Sequence, residues 1–81
     1  MEHTERPLTL SALQRGQSGI VCLLKAAGAM RRRLQDLGLI CGTKVTCVGV
    51  SPLGDPKAFR VRGAVIALRR SDADTVHILI Q

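Results

Sequence analysis

The sequence predicts a mainly β fold, a small barrel of about five strands carrying one short α-helix. Three observations lead there. Apolar residues alternate with polar ones over several short stretches of the C-terminal half. Helical spacing occurs convincingly once, between Gly28 and Leu37. Glycine and proline break the chain at short intervals, too often for long elements. With 81 residues there is material for one domain, of a size that buries roughly 60% of the surface its unfolded chain exposes. Apolar residues make up 46% of it, enough for a compact core, and Phe59 is the only aromatic. Disorder is therefore not expected despite the charge.

Taken in order, residues 1–7 are polar, end at Pro7 and are expected to form a flexible leader, with the domain occupying 8–81. Leu8-Thr9-Leu10 is a short extended piece. Ser11 is placed to cap one helical turn, because its hydroxyl can accept from an otherwise unpaired backbone N–H. Gly16 to Gly19 supplies a turn. Ile20 to Leu24 is a continuous aliphatic run, expected to be a strand buried on both faces. In the helix, Met30, Leu34 and Leu37 fall at i, i+4 and i+7 and form one apolar stripe. Gly38 stands where a left-handed C-terminal cap is wanted, and Leu39 can fold back onto the last turn.

After Gly42 the period changes. Lys44 to Val50 reads as a strand with Val45 and Cys47 on one side. The two prolines and the glycine of Ser51 to Pro56 forbid regular structure, and Asp55 is expected to bond its own backbone there. Ala58 to Arg62 alternates, with Phe59 and Val61 inward and Arg60 and Arg62 outward. Gly63 turns the chain into a further strand, Ala64 to Arg69. Ser71 to Asp74 is a helical turn or loop, and Thr75 to Ile80 is the last strand. Short strands with one inserted helix are most readily accommodated by an SH3-like barrel, which curls the sheet and reduces its exposed edges.

The formal net charge is +6, which points to an acidic partner: nucleic acid, an anionic membrane surface or an acidic protein. Three cysteines, Cys22, Cys41 and Cys47, do not form a disulfide framework and fit a reducing compartment. The N-terminus lacks the apolar core of a signal peptide, and no apolar run approaches the roughly 20 residues needed to span a bilayer. A cytoplasmic location is expected, with membrane contact only through a partner.

Catalysis finds no support. His3 and His77 are the only histidines, and no converging acid and base set can be assembled from the sequence. For metal, Cys41 and Cys47 are too isolated for paired-ligand spacing, so Cys41 and His77 stand as single candidate donors and no cofactor is expected. Leu53-Gly54-Asp55-Pro56 has no following Lys-Ser/Thr and is not a phosphate loop. The arginines stand out: Arg31-Arg32-Arg33 on one helical turn, then Arg60, Arg62, Arg69 and Arg70. They form an anion-binding face or a solvated one. Single-strand readers stack bases on aromatics, and here Phe59 belongs to the core, so nucleic acid yields to an acidic protein.

Several strings together resemble the FeoA family. They are Leu10-Ser11-Ala12-Leu13 followed by Gly16-Gln17-Ser18-Gly19, then Arg31 to Leu39 with Gly42-Thr43, then Pro52 to Pro56, and finally Arg62-Gly63 through Arg69. Their order and spacing cover residues 8 to 80. Cys41 departs from the pattern, standing where the family usually has proline. The resemblance implies an SH3-like barrel that assists FeoB, a membrane permease for ferrous iron with a cytoplasmic nucleotide-binding domain. It brings no catalytic residues. A non-enzymatic partner-binding module follows as the expectation, with Leu53, Gly54, Asp55 and Pro56 on a protruding loop and the basic helix face of Arg31 and Arg32 beside it. A homo-oligomer is compatible with the same reading. The alternatives are a basic nucleic-acid-binding barrel and a metal-binding sensor or carrier.

Overall fold

The computed structural model describes residues 8–80. The expected leader over 1–7, with His3, lies outside them, as does Gln81. Six antiparallel strands form one sheet: β1 (Leu8–Thr9), β2 (Ser18–Leu24), β3 (Lys44–Val50), β4 (Lys57–Val61), β5 (Ala64–Leu68) and β6 (Val76–Ile80). The sheet order is β1-β6-β2-β3-β4-β5. Helix α1 (Gly28–Asp36) joins β2 to β3, the single turn α2 (Arg70–Ala73) joins β5 to β6, and Leu10–Ala12 forms a 3-10 turn. The sixth strand, relative to about five expected, is the two-residue β1.

The sheet rolls because two of its ladders are bulged. The register between β2 and β6 shifts between Val21 and Leu23, and that between β3 and β4 shifts between Cys47 and Gly49. An unpaired extra residue bends its strand and increases the local twist. The roll places Leu10, Leu13, Val45, Cys47, Phe59, Val61, Val76 and Ile78 inside, each at most 1% exposed. Gly19 lets β2 and β6 close up at one point, since a Cβ there would stand 2.7 Å from Ile78 Cδ1. No polar or charged residue is buried among those described. Rolling does not close the ring, however. β1 and β5 end the sheet and do not pair with each other.

Helix α1 lays Leu34 into the core, with Met30 and Leu37 packed half-buried beside it. It stops as its sequence dictates. Gly38 has φ +103°, its N–H donates to Gln35 O at 2.9 Å, and Leu39 N–H reaches back to Leu34 O at 3.0 Å. That crossed pair satisfies carbonyls the helix end would otherwise strand. Leu39, fully buried, folds back as expected. Leu37, expected as the last helical residue, is the cap.

Other expectations needed revision. Ser11 does not cap a helix: Thr9 holds that position, and the Ser11 hydroxyl pairs with Thr9 Oγ1 and donates to the Asp74 carboxylate. A 3-10 turn this short leaves few N–H groups to cap, so the hydroxyl finds longer-range partners. β2 is not buried on both faces, because Leu23 is 45% exposed and Ile20 and Cys22 are half-buried. A single rolled sheet has one inside, and no second layer covers the back of β2. Gly19 lies in the strand and not in the preceding turn. Arg62 does not end β4 but occupies the turn, with φ +53° followed by Gly63 at +86°. Two successive positive φ values give the two-residue hairpin turn that matches strand twist.

Candidate partner-binding surface

The loop between β3 and β4 is built from short-range bonds at its base. Ser51 N–H donates to Pro56 O at 3.2 Å, and Gly54 N–H donates to Ser51 O at 2.8 Å. The turn leaves Leu53 93% exposed. Burying such a leucine elsewhere would be worth about 2 kcal/mol. Gly54, with φ +89°, adopts a conformation that suits glycine. Asp55 does not bond its own backbone as expected. Its Oδ1 accepts from Arg70 N–H at 2.8 Å, the start of α2, where an exposed donor and a partial positive charge attract a carboxylate. The loop is thereby tethered to α2, and Asp55 serves as its anchor. Pro56 is exposed at the exit.

Lys57, which sequence reasoning passed over, fixes the base of the same loop. Its Nζ donates to Ser11 O and to Leu13 O, both at 2.8 Å, joining β4 to the end of the 3-10 turn. A lysine at a strand start gives no sequence signal for this, because its acceptors lie more than 40 residues away. Asp55, Lys57 and Arg70 line a hollow of about 220 Å³ with Ser11, Gly54, Leu68 and Ala73. The hollow brings acid and base groups together. Both charged groups hold backbone partners there, Ser11 O and Leu13 O for the ammonium and Arg70 N–H for the carboxylate.

Arg31 and Arg32 are both exposed on α1. Arg31 Nη1 donates to Leu24 O at 2.9 Å and clamps the helix to the end of β2. Arg32 projects without a side-chain hydrogen bond among the described residues. Met30 and Arg33 line a hollow with Ala67, Arg69, Ser71 and Asp72, and Gly54 and Asp55 line one with Leu68, Arg70 and Ala73.

Exposed Cys41 donates its S–H to Cys22 O at 3.2 Å, and Cys22 donates to His77 O at 3.3 Å. Cys47 is buried as a small apolar side chain. Among the described residues no three His, Cys, Asp or Glu side chains are gathered to hold a metal ion. No helix among them is long and apolar enough to cross a membrane.

Comparison with known proteins then places the chain. The FeoA domain family matches residues 8–79. A "Fe(2+) transport protein A/Fe(2+) transporter FeoB fusion protein" of Porphyromonas gingivalis is 30% identical over 71 residues, covering 88% of this chain but only 8% of the fusion's length. The solution structure of FeoA from Chlorobium tepidum is 37% identical, with a TM-score of 0.84 over 90% of this chain and 70% of that one. The crystal structure of Stenotrophomonas maltophilia FeoA complexed with zinc, described as a prokaryotic SH3 domain protein, is 33% identical, with a TM-score of 0.78 over 88% of each chain. The rolled sheet described above is thus an SH3-like barrel, and this chain belongs to the FeoA family.

Proposed function

We propose that this chain is a non-enzymatic accessory of ferrous iron transport that docks on the cytoplasmic part of a FeoB-type permease and shifts its conformational equilibrium. Family membership supports the iron-transport role, and the Porphyromonas fusion supports the partner. Joining two modules in one chain raises their effective concentration, which is useful when they act on each other. Ferrous iron is then the cargo of the permease. The whole of residues 8–81 acts as one domain in this reading.

Leu53 carries the docking proposal. An apolar side chain 93% exposed on a loop closed at its base and tethered to α2 through Asp55 is pre-organised to enter a pocket on a partner. Gly54 and Pro56 shape the loop around it, and Arg32, with Arg31 behind it, offers charge to an acidic surface. Docking shifts an equilibrium only when the affinities for two permease states differ. The test is co-purification of the tagged chain with the permease's cytoplasmic part. Wild type should be retained, and Leu53→Asp should be lost while its circular dichroism and unfolding midpoint stay unchanged. Equal retention of both would remove Leu53 from the interface.

A further inference from the structure

The longer of the sheet's two terminal strands is β5, and its sequence, Ala64-Val65-Ile66-Ala67-Leu68, contains none of the charges or prolines that normally protect such an edge. The two-residue turn at Arg62-Gly63 determines which backbone groups are free. It makes Val61 and Ala64 the hydrogen-bonded pair that closes the hairpin. Alternation then makes Phe59–Ile66 and Lys57–Leu68 bonded pairs, and Arg60–Val65 and Ala58–Ala67 non-bonded ones. The N–H and C=O groups of Val65 and Ala67 therefore point away from β4. Neither residue finds another backbone partner among the described residues. Both are open to solvent, Val65 at 58% exposure.

The surroundings are positively charged. Arg60 stands directly across from Val65, and Arg62 occupies the turn. Arg33 and Met30 of α1 share a hollow with Ala67 and Arg69, where Asp72 is the one acidic side chain. A second copy pairing β5 to β5 antiparallel would bring the Arg62 end of one chain to the Arg69 end of the other. Like charges placed opposite are destabilising. A strand carrying carboxylates would meet the opposite sign at each of these positions.

We infer that the open edge of β5 is a docking site for an extended acidic segment of a protein partner, which adds to the sheet as a seventh strand. Main-chain bonds to Val65 and Ala67 supply the affinity, and the arginines select for acidic side chains at alternate positions. The site is separate from the Leu53 loop and does not depend on it.

A short fluorescein-labelled peptide alternating glutamate and valine is the probe, with a lysine-for-glutamate counterpart. Anisotropy titration of the full chain should show binding of the glutamate peptide that weakens with added salt, and none of the lysine peptide. Val65→Pro removes a donor that faces only the open edge, so the β4 ladder stays intact. It should remain folded and bind about tenfold more weakly or worse. Arg33→Glu combined with Arg69→Glu should also weaken binding, and Leu53→Asp should leave it unchanged. In the wild type, peptide should slow amide exchange at Val65 and Ala67, a readout that stands even if the proline variant unfolds. Absence of glutamate-peptide binding, or binding with unaltered exchange at those two amides, would overturn the assignment. So would self-association through β5 that Val65→Pro abolishes.

Discussion

The two faces of the β4–β5 hairpin make different demands on the chain. Inward, Phe59, Val61 and Leu68 are at most 3% exposed and belong to the apolar core. Outward, Arg60, Val65 and Ala67 are exposed. The inner face accounts for stability. The outer face contributes little to it and is free to be shaped by what it meets. In so small a barrel, nearly everything that is not core is surface for contact, because the single rolled layer has no second layer on its back.

The largest expected effect is on the inner face. Phe59→Ala should cost about 3–5 kcal/mol in denaturant unfolding, since it removes the only aromatic from the centre of a packed core. Arg60→Ala, one residue along on the outer face, should stay within about 0.5 kcal/mol. Similar losses for both would erase the distinction between the faces.

Lys57 sharpens the comparison at the hairpin's base, where a polar side chain is structural. Lys57→Met keeps the aliphatic stem but leaves Ser11 O and Leu13 O without their donor. A loss of about 1–3 kcal/mol is expected in the same unfolding experiment. A neutral result would mean that water replaces the ammonium at no cost.

The smallest effect lies at the turn. Arg62 holds φ +53°, where asparagine is better tolerated, so Arg62→Asn creates the Asn-Gly pair favoured in such turns. It should raise stability by about 0.5–1 kcal/mol and the melting temperature by a few degrees. A fall would show that the guanidinium contributes a contact worth more than the backbone relief.

Much of the fold was legible in the sequence because it rests on local rules. Alternation marked Phe59 and Val61 as inward and Arg60 as outward, and a glycine after an amphipathic run marked the end of α1. The candidate site was less legible. Leu53 was recognisable as an apolar residue among turn formers, but its 93% exposure is a fact of packing. Turn chemistry points Asp55 to its own backbone, yet its partner is Arg70, 15 residues on. The exposure of Leu23 and the bulge beside it were hidden in what looked like a fully buried run.

The sequence by itself determined the element types, the stop of the helix, the inward residues of β3 and β4, and the family. Tertiary structure alone decided which strand was left at the edge, which amides of β5 face outward, and where Lys57 and Asp55 find their partners. Periodicity and turn chemistry act over a few residues and are written in the chain. Strand order and long-range hydrogen bonds depend on how the whole sheet rolls, and no local stretch encodes that.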